Sequence, residues 1–408
     1  MKSQLRIEAI VHGGEGLAHD AGRVVFVRGG VPGDLVEVDI SGEGRFERAR
    51  ALRVVEAGPA RVEAPCPIVD RCGGCPVQRV AYPEQLAAKQ ALAADALERI
   101  GGRAPGTFEL FPIVPSPRQF GYRRRARLHR GPGRTWGFAG EEGIVPVERC
   151  ALFEEPLQRL ADALRGIDLP GVQDLGIDTA VSGKAAVDLR GSATPALRRR
   201  AQALVDARIV AGATLGMEVF GDPVLADPLP GGGILRSRPD VFSQANRSMV
   251  PALQQAALDA LGPFAEGRIL ELFCGAGTLT LPLLQRARSV VGVESAGPAV
   301  QLLRRSADEL GGGRLRLVTG DAAQVVRGLD EPFDAALLDP PRTGAVEAIG
   351  ALVRLRPPRI AYVSCDAPTL GRDAKQLAAA GYRLVRAQPL DVFPQTGHFE
   401  VVATFEPA

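Results

Sequence analysis

A regular alternation of short apolar strands and helices limits the fold of this chain more than any other feature, and it begins near residue 240. Glycine, proline and polar residues separate the apolar runs, and helices fill the gaps. Such an alternation predicts a doubly wound, Rossmann-like α/β domain, which binds its ligands at the carboxyl ends of the strands. The predicted strands are 268–273, 289–294, 314–321, 333–340, 359–365 and a final pair near 383–405.

The earlier part of the chain follows a different pattern. Residues 1–58 alternate apolar and polar positions between Gly and Pro, which predicts a small OB-like β-barrel. Residues 82–100 are rich in Ala, Leu, Glu and Lys, which predicts a helix, and a second helix is predicted at 193–207. We therefore predict a multidomain α/β protein. Its domains are an OB-like barrel at 1–58, a central α+β domain at 59–236 and the Rossmann-like domain at 237–408.

Composition excludes several classes of protein. Hydrophobic residues make up 46% of the chain and charged residues 24%, and no apolar run is long enough to span a bilayer. Six cysteines in 408 residues are too few for a secreted disulfide scaffold, so we expect a cytoplasmic protein whose cysteines bind metal or react. A net charge of +2 gives no general signal for nucleic-acid binding. We expect a monomer without membrane contact.

One segment nevertheless carries a strong local charge. No acidic residue lies between Glu109 and Glu141, and aromatic residues are interleaved with the arginines there. Arginine suits phosphates and aromatic rings suit unstacked bases, so RNA contact is one interpretation. The other is a solvated basic pair of strands with aromatic residues in the core. The residues concerned are Arg118, Arg123, Arg124, Arg125, Arg127, Arg130, Arg134, Phe120, Tyr122, Trp136 and Phe138.

A glycine-rich turn follows the first predicted strand of the C-terminal domain. Gly275 and Gly277 let the backbone approach a ligand closely, and the next strand ends in Glu294, a carboxylate suited to the ribose hydroxyls of an adenosine cofactor. The third and fourth strands end in Asp321 and Asp339. The third glycine of a dinucleotide site and the lysine of a nucleoside-triphosphate loop are both missing. The series ELFCGAG, GVE, GD and DPP instead resembles class I S-adenosylmethionine methyltransferases.

Two reactive side chains lie at the ends of later strands. Cys365 ends the fifth strand and Glu400 enters the last one. C5 of a pyrimidine is a poor nucleophile, so its methylation needs a thiolate that adds at C6 and a base that removes the C5 proton. These two residues supply both groups, although a buried small side chain and a surface carboxylate are the alternative interpretations. Arg342 follows Asp-Pro-Pro where amine methyltransferases usually have an aromatic residue, which disfavours an amine substrate.

Two C-terminal motifs, SCD at 364–366 and FPQTGHFE at 393–400, resemble those of the uridine-C5 RNA methyltransferase family. VFVRGGVPGDLVEVDI, within the first 58 residues, resembles the TRAM module of the ribosomal branch of that family, and the similarity covers nearly the whole chain. The resemblance implies that Cys365 is the nucleophile and Glu400 the proton acceptor. Thr278 stands where many members have asparagine. The implied S-adenosylmethionine contacts are Gln244, Phe273, Gly275, Gly277, Thr278, Glu294, Asp321 and Asp339.

A separate cysteine motif lies at 66–76, where Cys66, Cys72 and Cys75 have the spacing C-x5-C-x2-C. Thiolates at this spacing allow zinc or an iron–sulfur cluster, and a redox Cys-x-x-Cys pair is disfavoured because no thioredoxin-like βαβ unit surrounds it. In the iron–sulfur members of the family that the chain resembles, a distant cysteine completes the site. The resemblance therefore implies Cys150 as the fourth ligand of a [4Fe–4S] cluster, with zinc as the alternative.

The resemblance implies an enzyme that makes 5-methyluridine in structured RNA. The barrel and the cysteine motif favour 23S rRNA as the substrate, and methylation of uridine 54 in tRNA is the first alternative. A non-catalytic metal-containing RNA-binding protein and a cluster-dependent redox enzyme are more distant ones. The target base would have to leave its stack to reach Cys365, at a cost of a few kcal/mol. The barrel and the arginine-rich segment would hold the RNA.

Overall fold

A computed structural model of the 408-residue chain describes residues 2–41 and 46–408. In chain order these residues form a six-stranded sheet, a seven-stranded sheet, a two-stranded hairpin and an eight-stranded sheet. We refer to the three large sheets as the N-terminal, central and C-terminal sheets. The chain is therefore a multidomain α/β protein, as predicted.

The N-terminal sheet has the strand order β1-β5-β6-β4-β3-β2. Its strands are β1 (Lys2–Arg6), β2 (Ala9–Ile10), β3 (Gly16–Asp20), β4 (Arg23–Arg28), β5 (Leu35–Ser41) and β6 (Glu47–Glu56). Alternate residues such as Val25 and Val27 point into one apolar core, as the period of two requires. The buried Asp34 carboxylate accepts hydrogen bonds from the backbone N–H of Val31 and Gly58, and this fixes the entry to β5.

The predicted helix at 82–100 is confirmed. Helix α1 (Tyr82–Asp95) continues as one π-helical turn (Ala96–Ile100), and strand β7 (Glu109–Leu110) follows. Although these residues lie within the predicted central segment, β7 pairs with a strand of the C-terminal sheet, and Ala96 and Leu97 join that sheet's core. The helix therefore ties the start of the central segment to the C-terminal sheet.

The central sheet has the order β10-β9-β8-β11-β12-β13-β14. Its elements are β8 (Arg125–Arg130), β9 (Trp136–Gly140), β10 (Gly143–Pro146), α2 (Glu155–Leu164), β11 (Val172–Thr179), β12 (Ala185–Gly191), α3 (Pro195–Asp206), β13 (Gly212–Leu215) and β14 (Glu218–Gly221). Helix α3 confirms the prediction at 193–207. Its N-cap residue, Thr194, accepts a hydrogen bond from the Leu197 N–H, and Pro195 opens the first turn. The hairpin β15 (Leu225–Pro228) and β16 (Ile234–Ser237) follows.

Much of the arginine-rich segment is internal. The Arg124 guanidinium is buried between Asp178 and Asp227, with N–O distances of 2.7 Å to each. Arg125 donates hydrogen bonds to the carbonyls of Val241 and Pro239. The aromatic rings of Tyr122 and Trp136 are buried as well. The interpretation as an RNA-binding surface is therefore wrong for these four side chains, because their guanidinium groups and rings are used inside the fold. Arg118, Arg127 and Arg134 stay exposed.

The C-terminal sheet has the order β19-β18-β17-β20-β21-β23-β22-β7. Its elements are α4 (Val250–Leu261), β17 (Arg268–Leu272), α5 (Thr280–Leu284), β18 (Ser289–Glu294), α6 (Gly297–Asp308), β19 (Leu315–Thr319), α7 (Ala322–Arg327), β20 (Ala335–Leu338), α8 (Val346–Leu352), β21 (Ile360–Ser364), α9 (Ala367–Ala379), β22 (Tyr382–Leu390) and β23 (Glu400–Pro407). Strands β17 to β21 are parallel, whereas β23 runs antiparallel between β21 and β22. The predicted doubly wound arrangement is confirmed.

Short 3-10 helices complete the secondary structure at Pro132–Arg134, Arg247–Met249, Gly262–Glu266, Gly312–Arg314 and Val353–Leu355. Within the described ranges, none of the helices has the length together with the apolar character that crossing a membrane requires.

A buried ion pair joins α1 to the segment between β22 and β23. Lys89 Nζ lies 2.5 Å from Asp391 Oδ1, and the two side chains are 3% and 0% exposed. Lys89 also donates to the carbonyl of Phe393. Burial lowers the pKa of Lys89, so the ammonium depends on these two acceptors to remain charged.

We expect Lys89→Ala to lower the free energy of unfolding by about 3 to 5 kcal/mol, because it leaves the Asp391 carboxylate buried without its cation. The measurement is urea unfolding of both proteins. Arg99→Ala is the matched control, because Arg99 forms an exposed ion pair with Asp95 in the same helical segment. The control should unfold like the unaltered protein, and equal destabilisation by both changes would contradict the prediction.

Candidate active site

The glycine-rich turn predicted to hold a cofactor lies directly after β17. Phe273, Gly275 and Gly277 all have positive φ angles, of 63°, 53° and 97°. A Cβ atom on Gly277 would lie 2.5 Å from Leu303 Cδ1, so this position needs glycine for space as well as for conformation. The Gly275 N–H donates to Glu294 Oε2 at 3.0 Å, which holds the turn against the end of β18.

Three carboxylates predicted to contact the cofactor follow neighbouring strands. Glu294 ends β18, Asp321 caps α7 by accepting from the Gln324 N–H, and Asp339 follows β20. Parallel strands bring their carboxyl ends to one edge, so these residues and the glycine-rich turn share that edge. Burial raises the pKa of Asp339 to about 7, so this carboxyl group lies in a poorly solvated place.

Of two other predicted cofactor residues, Thr278 directly follows Gly277, and Gln244 lies in a segment that packs against the turn through Val241. The Thr278 carbonyl accepts a 2.7 Å hydrogen bond from Gln254, and Ala276 packs against Val241. Gln244 is buried in the same flanking segment, where its side chain lines a cavity together with Asp227. Val241 therefore joins this segment to the turn, whereas the cavity that Gln244 lines is bordered by residues outside the turn.

The pairing of β21 with β23 brings Cys365 and Glu400 together. Ser364 pairs with Val401 in an antiparallel register, so the next position on each strand is Cys365 and Glu400. Cys365 is half-buried, whereas Glu400 is 4% exposed and its Oε2 has no hydrogen-bond partner among the described residues. A thiol and an unpaired carboxyl group thus face one another across two adjacent strands.

One cation, Arg342, lies among the acidic groups of this pocket. Burial raises the pKa of the Cys365 thiol to about 11 and the Glu400 carboxylate adds to the effect, whereas the Arg342 guanidinium opposes it. Burial and the Asp339 charge hold the pKa of Glu400 well above its usual range, and Arg342 again opposes them. Arg342 therefore favours the charged form of both reactive groups.

Sequence reasoning missed the position of Arg342 and that of Asp366. In the sequence, Arg342 indicates only that no aromatic residue follows Asp-Pro-Pro, although a cation two residues after Pro340 also signals charge at the end of a strand. Asp366 follows Cys365 and caps α9 by accepting from the Thr369 N–H at 3.0 Å. This hydrogen bond holds Asp366 in place, and Asp366 directly follows Cys365.

The four cysteines predicted to bind metal converge in the central part of the protein. Cys66, Cys72, Cys75 and Cys150 line one small cavity, together with Gln78, Arg123 and Phe138. The turns are held by hydrogen bonds from Cys66 N–H to Gln78 and from Cys150 N–H to Gln158. Burial raises the pKa of the Cys72 and Cys75 thiols and brings that of Cys150 to about 11. The structure therefore brings Cys150 to the other three, as the resemblance implied.

The thiols that line this cavity are potential metal ligands. In the part of the chain that the structure describes, no three Cys, His, Asp or Glu side chains approach closely enough to bind one metal ion. All six cysteines are free thiols. The donor set, four thiols with no carboxylate or imidazole lining the cavity, is one that zinc and iron–sulfur clusters both accept.

Comparison with known proteins agrees with these features. A family model described as tRNA (Uracil-5-)-methyltransferase matches residues 233–406. The chain is 38% identical to 23S rRNA (uracil(1939)-C(5))-methyltransferase of Pseudomonas putida, over 99% of this chain and 94% of the relative. Identity to the Pseudomonas aeruginosa protein of the same name is 36%, over the same shares of both chains.

A solved structure has the same fold along nearly the whole chain. It is the Pyrococcus abyssi tRNA (uracil-54, C5)-methyltransferase in complex with S-adenosyl-L-homocysteine, with a TM-score of 0.77 and 22% identity. The match covers 99% of this chain and 100% of that one. Given the sequence identity to the Pseudomonas proteins over almost all of both chains, this chain belongs to the family of RNA uracil-C5 methyltransferases.

Proposed function

We propose that this protein transfers the methyl group of S-adenosylmethionine to C5 of a uridine in 23S rRNA. The observation that carries the proposal is the register of β21 and β23, which sets Cys365 opposite Glu400 beside Arg342. The glycine-rich turn and Asp339 lie at the same edge of the sheet, where S-adenosylmethionine would bind and supply an electrophilic methyl group. The Pseudomonas relatives, named for 23S rRNA, favour this substrate.

Cys365 would start the reaction. Its thiolate adds to C6 of the uracil ring, which places negative charge on O4 and makes C5 nucleophilic toward the methyl group. The thiol has to lose its proton first, and its pKa of about 11 makes that costly in the protein alone. Arg342 lowers this cost because its cation stabilises the thiolate.

Glu400 would complete the reaction. After methyl transfer, C5 carries both a methyl group and a proton, and the thioether at C6 cannot leave until that proton is removed. A buried carboxylate with an unpaired oxygen is a stronger base than one in water, because its charge is poorly solvated. Removal of the C5 proton forms the C5–C6 double bond and releases the thiolate of Cys365.

The RNA would enter through a cleft between the N-terminal sheet and the cysteine segment. Six arginines line this cleft, and among the described residues each of them also pairs with a carboxylate, for example Arg28 with Glu141 and Arg79 with Asp70. The arginines still outnumber the acidic residues that line the cleft, which suits a phosphate backbone. The arginines are Arg28, Arg48, Arg50, Arg53, Arg61 and Arg79. We assign residues 1–58 to a TRAM-like barrel that binds RNA, 59–236 to the central domain and 237–408 to the methyltransferase domain. Uridine 54 of tRNA remains the alternative target, as named for the Pyrococcus abyssi enzyme.

A [4Fe–4S] cluster held by Cys66, Cys72, Cys75 and Cys150 forms part of the proposal. Each iron of such a cluster takes one thiolate, so the four sulfurs stay farther apart than around a single zinc ion. The lining of the cavity, four cysteines with no carboxylate or imidazole among the described residues, suits such a cluster. Arg123 lines the cavity and offsets the thiolate charge. A reducing, cytoplasmic location and a monomeric state belong to the same proposal.

We expect the unaltered protein to form a covalent adduct with a 23S rRNA fragment that contains 5-fluorouridine, in the presence of S-adenosylmethionine. Fluorine replaces the proton that the base removes, so the Cys365–C6 bond cannot break. Cys365→Ala should form none, because no thiolate is available, and denaturing gel electrophoresis measures the adduct. An adduct with Cys365→Ala would refute the role of this residue, and a tRNA that reacts in preference to the rRNA fragment would identify the alternative substrate.

We expect Glu400→Gln to trap an adduct with ordinary uridine RNA. The amide cannot accept the C5 proton, so methyl transfer occurs but elimination stalls, with turnover slowed at least about a hundredfold. Gel electrophoresis of labelled RNA and release of methylated product measure the two steps. Normal turnover without a trapped adduct would contradict the assignment.

We expect Cys150→Ala to lose most of the bound iron and sulfide, because the cluster loses one of four ligands. Cys274→Ala is the matched control, since Cys274 is a free cysteine in the glycine-rich turn, away from the cysteine cavity. Iron and acid-labile sulfide are assayed in protein purified without oxygen. Full retention of iron by Cys150→Ala, or zinc in place of iron in the unaltered protein, would contradict the proposed cluster.

A further inference from the structure

The loop between β2 and β3 reaches from the N-terminal sheet to the catalytic strands. Gly13 forms a backbone bridge with Gly397, three residues before Glu400. A Cβ atom on Gly397 would lie 2.5 Å from the Gly13 carbonyl carbon, so the two backbones are in direct contact. On its other side the loop touches the cysteine segment, because a Cβ atom on Gly14 would lie 2.7 Å from Pro76 Cγ. The loop therefore connects three parts of the protein.

His12, at the start of this loop, contacts the residue next to the proposed nucleophile. Its Nε2 lies 3.3 Å from Asp366 Oδ2. The other oxygen, Oδ1, accepts the hydrogen bond from the Thr369 N–H that caps α9. The hydrogen bond from His12 is the main reason that the pKa of Asp366 is held well below its usual range. The two oxygens of one carboxylate thus join the N-terminal sheet to the start of α9.

The same histidine lines the arginine-rich cleft. Its side chain is 38% exposed, and it borders the cleft together with Arg28, Arg48 and Arg50. RNA bound in the cleft would therefore lie against His12 on one side, while Asp366 holds it on the other. The only residue between Asp366 and the end of β21 is Cys365.

We propose that His12 is a positioning residue for the methyl transfer. Through Asp366 it holds Cys365 in the position from which the thiolate attacks a uridine of RNA that is bound in the cleft. This inference rests on the proposed function. Because His12 acts on the geometry of the attacking thiol, it governs the rate of addition to C6 once RNA is bound. The affinity for RNA depends mainly on the six arginines that line the cleft, so His12 contributes little to it.

The chain supplies a matched control in His19. This residue lies on β3 of the same sheet, and its Nδ1 is 2.8 Å from Glu8 Oε1. It forms an exposed histidine–carboxylate contact like that of His12 but lies outside the residues that line the cleft. Loss of a histidine from the N-terminal sheet can thus be separated from loss of the contact with Asp366.

The experiment measures the rate of covalent adduct formation with 5-fluorouridine rRNA at saturating RNA, and the RNA dissociation constant separately. We expect His12→Ala to slow the adduct about tenfold, since small misplacements of a reacting group cost one to two orders of magnitude. The dissociation constant should change less than about twofold. His12→Gln, whose amide nitrogen lies near the position of Nε2 and can donate to Asp366, should recover part of the rate, and His19→Ala should match the unaltered protein.

A double substitution tests whether His12 acts through Asp366. Asp366→Ser keeps an oxygen that can cap α9 but is too short to reach His12. If the inference holds, His12→Ala slows the Asp366→Ser protein less than twofold further. If His12→Ala slows the Asp366→Ser protein by the same factor as it slows the unaltered protein, the inference is wrong. An unchanged rate in His12→Ala, or a loss of RNA affinity without a change in rate, would also contradict it. If the unaltered protein forms no adduct, the proposed function itself fails, which is a distinct result.

Discussion

The proposed catalytic centre depends on one strand, β23, which runs antiparallel to both of its neighbours in a sheet whose other pairings are parallel among the described residues. Because β23 runs opposite to β21, Glu400 at the start of β23 lies across from Cys365, which directly follows the end of β21. A parallel β23 would place Glu400 at the far edge of the sheet, a full strand length from Cys365. The insertion of this strand between β21 and β22 therefore converts a cofactor-binding sheet into a site with two reactive groups.

The segment that leads into β23 is held by residues that are distant in sequence. Gln85 and Gln395 exchange two hydrogen bonds of 3.0 Å, Lys89 binds Asp391, and the Tyr122 hydroxyl donates to the Pro394 carbonyl. Tyr122 is buried close enough to Cys75 and Cys150 for their charges to raise its pKa, in addition to burial. Tyr122 therefore lies near the cysteine site and also binds the segment before Glu400, so it links the two. That arrangement gives the proposed cluster a structural role without any part in the chemistry.

The sequence predicted the parallel strands and the glycine-rich turn because apolar periodicity and glycine are local signals. It predicted helix α1 but not its docking, because the helix buries the polar side chains of Gln85 and Lys89 against partners about three hundred positions later. It misjudged Arg124 for the same reason: a guanidinium looks exposed until two distant carboxylates surround it. Pairings between distant polar residues produce no periodic pattern in the sequence. In this protein such pairings hold the parts of the site together.

The charges around Arg342 favour an order of events. Burial and the Glu400 and Asp339 carboxylates raise the pKa of the Cys365 thiol, and burial and Asp339 raise that of Glu400, whereas the guanidinium of Arg342 opposes both effects. Addition of Cys365 to C6 converts its sulfur into a neutral thioether and moves the negative charge to O4 of the ring, and transfer of the methyl group from the sulfonium then neutralises that charge. Glu400 then ionises more easily, so the base becomes available only after the nucleophile has reacted. Arg342 thereby stabilises the thiolate first and the carboxylate second.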